Sequence, residues 1–188
     1  MSGARLGSLV IALAAWATLG CASIAGLEDG ELASGSSGGG ATANDKYGKE
    51  VLADKPGAYY RLDEAAGSPT VADASGNGNT GTLSGKVVLG EPGAISGNTA
   101  ASFDGVSSVD LGDKFDFADK ANMTIEAWIW PLADDGGFLG KGYYEPGTGY
   151  DGWFLAEGSD VLQCSRGGAA ATTAKLSKTE YTHVAMTY

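Results

Sequence analysis

Two groups of residues have types and spacing that could do chemistry. The first is Asp73-Ala74-Ser75-Gly76-Asn77-Gly78, which sets side-chain oxygens at alternate positions and glycine at the sixth. This matches the first half of the calcium loop of a helix–loop–helix site. The twelfth position holds Ser84 instead of a bidentate Glu, and no helical pattern flanks the loop, which argues against such a site. The same residues suit a hairpin turn in which Asn77-Gly78 supplies positive φ and Asp73 satisfies backbone donors. The second group lies in the loop-like, aromatic-rich segment 142–154, where Tyr143, Tyr144, Tyr150 and Trp153 stand among Glu145 and Asp151. Flat rings beside carboxylates suit sugars: the rings stack on apolar sugar faces and the polar groups bond to hydroxyls. Alternatively, Trp153 and Phe154 begin a core strand and the tyrosines cover a rim.

Composition narrows the partners. The chain has 188 residues and a net charge of −11, with 43% apolar and 19% charged residues. One domain with attachments is expected, and the apolar share can supply a core. The acidic balance makes a phosphate backbone a poor partner, so nucleic-acid binding is disfavoured. The chain has one histidine and two cysteines, Cys21 and Cys164, so a zinc site with four cysteines, or two of each, is unavailable within one chain. Its 31 glycines show no three-residue period, which excludes collagen and fits many turns between short strands.

The N-terminal residues 1–20 have the form of a secretion leader: Arg5, then an apolar or small run over 6–19 containing Val10, Ile11, Leu13 and Trp16. The run is shorter than the ~20 residues that a spanning helix needs. Ala17-Thr18-Leu19-Gly20-Cys21 resembles the bacterial lipobox, although Leu is commonest where Thr18 stands. The resemblance implies cleavage before Cys21, lipidation of Cys21 and attachment through acyl chains; Ala22 in such lipoproteins implies transport to the outer membrane. The expected location is the cell envelope, on the periplasmic or the surface side. Residues 21–45, with the run 34–40 of serine and glycine, read as a flexible tether.

Residues 46–188 read as β. After a short helix-like piece over 47–53, strands are expected over 59–63, 99–103, 106–111, 123–130, 137–141, 153–157, 161–165, 170–174 and 183–188, with glycine- and Asx-rich turns between them. Many short strands at this spacing indicate an antiparallel sandwich or barrel. In Met123-Thr124-Ile125-Glu126-Ala127-Trp128-Ile129-Trp130, Met123, Ile125, Ala127 and Ile129 face one way. The other face is too aromatic for a wet surface, so it is either covered or used.

Several pieces in order resemble the LamG-like jelly-roll domain of the concanavalin A-like lectin/glucanase superfamily. They are Ala58-Tyr59-Tyr60-Arg61-Leu62-Asp63-Glu64, the stretch 73–83, Ala101-Ser102-Phe103-Asp104-Gly105, the stretch 123–129, and Tyr181-Thr182-His183-Val184-Ala185-Met186-Thr187-Tyr188. In the last piece Tyr181 replaces the family's usual Trp. The resemblance implies an all-β antiparallel sandwich over 46–188, with further closing strands expected beyond Tyr188, so the domain reads as C-terminally incomplete. It also implies one Ca²⁺ on rim oxygens, with Asp73, Asn77 and Asp104 as candidates. Glucanases of the superfamily use closely spaced acids, whereas Glu126 has no second acid on its strand, so no catalytic residue is assigned. His183 falls in the family's strand signature and takes a structural role. Cys164 reads as a small buried residue, unpaired once Cys21 is lipidated. The function implied is non-catalytic binding of carbohydrate or an extracellular protein. The alternatives are a glycan-active hydrolase or lyase remnant and an inert fragment.

Overall fold

Alternation sets the architecture. Met123, Ile125, Ala127 and Ile129 are fully buried, while Thr124, Glu126, Trp128 and Trp130 are only partly so. That period of two is the signature of a strand with one face in a core. The computed structural model describes residues 4–12, 20–24, 46–117, 121–145, 149–167 and 169–188.

The elements in order are β1 (Ala4–Ala12), β2 (Gly20–Ile24), α1 (Lys46–Ala53), β3 (Ala58–Tyr60), β4 (Thr70–Val71), β5 (Gly81–Ser84), β6 (Val88–Pro92) and β7 (Thr99–Phe103). They continue with β8 (Ser108–Asp110), β9 (Thr124–Pro131), β10 (Gly136–Glu145), β11 (Gly149–Gly158), β12 (Val161–Arg166), β13 (Ala169–Lys175) and β14 (Thr182–Thr187). Helix α1 ends where Lys55 takes a left-handed φ of 53° just before Pro56, which cannot continue a helix.

The largest sheet runs β2-β14-β9-β1-β7-β6, with β3 also paired to β1. A second sheet runs β10-β11-β12-β13, and a third β4-β5-β8. Every strand pairing among the described residues is antiparallel. Buried side chains from all three sheets, among them Tyr60, Val71, Ile125, Leu155, Leu162 and Met186, form one core. The fold is all-β and antiparallel, compatible with a jelly-roll sandwich.

Three features differ from the expected layout. The segment 142–154 is largely paired backbone, with β10 extending to Glu145 and β11 starting at Gly149. Tyrosine and tryptophan favour strands, and that preference outweighs the loop-like glycines. Strands β4, β5 and β6 lie where the sequence reading places none; they are two to five residues long and adjoin glycine or proline. Residues 4–12 and 20–24, which read as leader and tether start, are strands of the largest sheet. Val10 and Ile11 are β-branched, and an apolar run suits a central strand as well as a leader. The remainder of the expected tether, 25–45, falls outside the described residues.

Ile125 has no exposed surface and pairs with both β1 and β14. Ile125→Ala is therefore expected to lower unfolding free energy by about 2–5 kcal/mol. Urea titration followed by tryptophan fluorescence measures it.

Candidate functional site

A cavity of about 660 Å³ opens between the largest sheet and the strands facing it. Leu6, Tyr60, Leu62, Phe138, Trp153 and Lys141 are among the residues that line it. The volume falls in the usual range for small-molecule sites, and the lining mixes apolar side chains with Asp110, Lys114, Asp135, Lys141 and Glu157. Two wall residues, Leu62 and Phe115, take left-handed φ values of 58° and 62°. Bulky side chains rarely adopt that conformation, and such strain persists only where the surroundings over-determine it. For Phe115 the cause is visible. Trp153 Nε1 donates to the Phe115 carbonyl (3.2 Å), and Lys141 Nζ reaches Asp113 (2.8 Å), Asp116 (2.9 Å) and the Lys114 carbonyl (2.8 Å). These bonds tie the 111–117 loop across the mouth. Burial alone would lower the Lys141 pKa, but the two carboxylates outweigh it and hold the ammonium above its ordinary value.

Of the four aromatic candidates, Trp153 lines this cavity. It is buried, 6.1 Å from the Phe117 ring, and so acts as a wall rather than an exposed platform. The backbone register sets Tyr144 opposite Tyr150 and Tyr143 opposite Asp151. The side chains of these tyrosines lie outside the described residues.

The calcium candidates hold turns. Asp73 Oδ1 accepts from Tyr59 N (3.0 Å), Ser75 N (2.9 Å) and Ser75 Oγ (2.6 Å), and its Oδ2 accepts from Asn79 N (3.0 Å). Asn77 Nδ2 donates to the Pro56 and Gly57 carbonyls at 3.0 and 3.1 Å. Asp104 Oδ1 accepts from Val106 N (3.1 Å) and Ser107 N (2.8 Å). Lys114 Nζ donates to the Gly78 carbonyl (3.2 Å). Calcium needs six to eight converging oxygens. Here chain donors take the oxygens of Asp73, and a lysine already meets the turn, so this arrangement fits a cation poorly.

The aromatic face of β9 is covered. Trp128 Nε1 donates to the Tyr47 hydroxyl on α1 (3.2 Å), and Trp130 Nε1 donates to the Lys178 carbonyl (2.9 Å). Arg5 lies over the Trp130 ring at 5.2 Å, and Tyr181 meets that ring edge-on. His183, buried, packs 5.0 Å from Trp128 and reaches Glu126 at 3.4 Å.

No family model, curated protein or solved structure matches the chain. The site must therefore be judged on its own geometry.

One cluster escapes sequence reading. Asp134, Glu157 and Asp160 bring carboxylate oxygens within 4.8 Å of one another, with Glu157 buried. Lys178 Nζ already sits among them, bonded to Glu157 and 3.2 Å from Asp134. Burial would lower the lysine pKa; its bonds to Glu157 and Asp134 outweigh this and raise it. Glu157 and Asp160 flank one tight turn, whereas Asp134 and Lys178 are distant in sequence, so the tertiary fold and not local spacing brings them together. Cys164 is buried, and in this unprocessed chain it is disulfide-bonded.

Burial would raise the Asp73 pKa, but its four hydrogen bonds outweigh this and hold it below the ordinary value of 3.8. A carboxylate with a depressed folded pKa stabilises fully above its unfolded value and loses that contribution as pH falls through the folded one. Asp73→Ala is expected to cost about 1–3 kcal/mol at neutral pH. The gap between variant and parent should close as pH drops below about 4, as thermal melts across pH would record.

Proposed function

We propose that the protein is a non-catalytic binding module of the LamG-like kind, held at the cell envelope by a lipid on Cys21, and that the cavity between its sheets receives a carbohydrate ring. The observation that carries this reading is the cavity itself: an aromatic and aliphatic wall through Trp153, Phe138 and Leu62, bordered by Lys141 and Asp110. Ring faces stack on such a wall while hydroxyls meet the polar border. Glu157 also lines the cavity near two further acids, which favours a hydrolase as the second reading. A hydrolase needs two acids free for protons or nucleophilic attack. Lys178 bonds to Glu157 and lies beside Asp134 and Asp160, so the binding reading is preferred. The reading does not call on calcium: Asp73 and Asp104 accept donors of their own turns.

The lipid anchor constrains the cysteines. A chain with two cysteines cannot hold an internal disulfide and a lipid on Cys21 together. The lipid and the disulfide of Cys164 therefore belong to different forms of the chain, after and before processing. Mass spectrometry of protein extracted from envelopes is expected to show an acylated N-terminus at Cys21. An N-terminus at Met1 would overturn the anchor.

A glycan array probed with the full chain, in calcium and in EDTA, tests the ligand class. Binding of at least one glycan is expected equally in both conditions. Lys141→Ala, which releases the 111–117 loop, should weaken it by about fivefold or more, roughly 1 kcal/mol, with little change in melting midpoint. Absence of binding to every glycan in both conditions would defeat the carbohydrate reading.

A further inference from the structure

The largest sheet uses as a central strand residues that also have the form of a removable leader. β1 pairs with β9 on one side and with β7 and β3 on the other. Leu6 stands opposite both Ile129 and Ala101, Leu9 opposite Ala127 and Tyr60, and Ile11 opposite Ile125 and Ala58. Among the described residues, β3 has no other strand partner, only a single bridge from Tyr60 to Asp73. Without β1, a channel ~10 Å wide, two strand spacings, would separate β9 from β7. Its backbone donors and acceptors would lie in the interior without partners, which folded proteins avoid. The flanking residues Ala58, Tyr59, Ala101, Ile125 and Ile129 would be uncovered along it.

The channel reads its occupant on both faces. On the outer face, Arg5 lies 2.8 Å from Glu91 and over the Trp130 ring. Gly7 lies under Trp128, and a Cβ at Gly7 would stand 3.0 Å from the Cβ of Trp128, so only glycine fits without displacement. On the inner face, Leu6 packs against the core and lines the cavity. The occupant is thus an extended strand with a basic residue, a large aliphatic residue and a glycine in succession.

We propose that this channel is a strand-acceptor site. Residues 4–12 fill it in the unprocessed chain. Once the leader is removed, an extended segment of another polypeptide with the same basic–aliphatic–glycine pattern fills it, antiparallel to β9 and β7, as in β-strand addition. This rests on the leader reading given above. The test below does not need processing, and the N-terminus of the envelope protein decides that reading separately.

Leu9→Pro in the full chain removes an amide and places a ring between β9 and β3. It should lower the melting midpoint by roughly 6 °C or more. A synthetic peptide of residues 4–12 should restore most of that loss with saturation. The same peptide carrying Gly7→Val should bind about tenfold more weakly, roughly 1.4 kcal/mol, and a scrambled peptide should not bind. Should Leu9→Pro fail to fold, Gly7→Val in the full chain provides a milder displacement, read in the same way. An unchanged midpoint, no recovery with the peptide, or equal recovery with the scrambled peptide would each overturn the proposal.

Discussion

The structure depends on one backbone requirement: the ladder through residues 4–12. Every strand interior to a sheet must find partners on two sides, because a buried amide or carbonyl without one costs about as much as a lost hydrogen bond. β9 has β14 on one side and β1 on the other; β7 has β6 and β1. The register that β1 imposes aims Ile125, Ala127 and Ile129 inward and turns Trp128 and Trp130 outward, where α1, Arg5 and Tyr181 cover them. Ala4 and Leu6 also contribute to the cavity wall. The cavity and the sheet therefore share a strand.

Scarce cations act as ties in this acidic chain. With 12 Lys and Arg against 23 Asp and Glu, most carboxylates must face solvent. Lys141 joins β10 to the 111–117 loop, and Lys178 joins the loop before β14 to the β11 end. Arg5 joins β1 to β6 and to the Trp130 ring. Arg166, buried, lies 4.2 Å from the Tyr188 ring and 5.8 Å from that of Phe117. Each of these side chains meets two or more groups, which suits a molecule with few positive charges and many loops to hold.

Much of the fold was legible because strand periodicity is local. The alternation at 123–130, the short strand at 99–103 and the turn-bounded pair at 153–165 all emerge as strands within a few residues of expectation. The turn chemistry of Asp73 and Asn77-Gly78 was legible too, since an Asx side chain bonds its own neighbours. Pairings between distant segments were not legible. Nothing near Arg5 announces Glu91 or Trp130, and nothing near Asp134 announces Lys178. The role of 4–12 was hidden for a different reason. An apolar run with β-branched residues satisfies the demands of a leader and of a central strand equally, and the choice between them is made by the space the rest of the sheet leaves.

The position of β1 also bears on the order of events in a cell. Under the leader reading proposed above, a precursor that reached this fold early would bury the segment that export machinery must grasp, so secretion and folding would run as a race. The topology slows the second runner. β1 finds its partners roughly 50 to 130 positions away, and closing such long loops before any contact rewards them delays assembly. Slow, non-local sheet formation keeps residues 4–12 accessible in the newly made chain for longer.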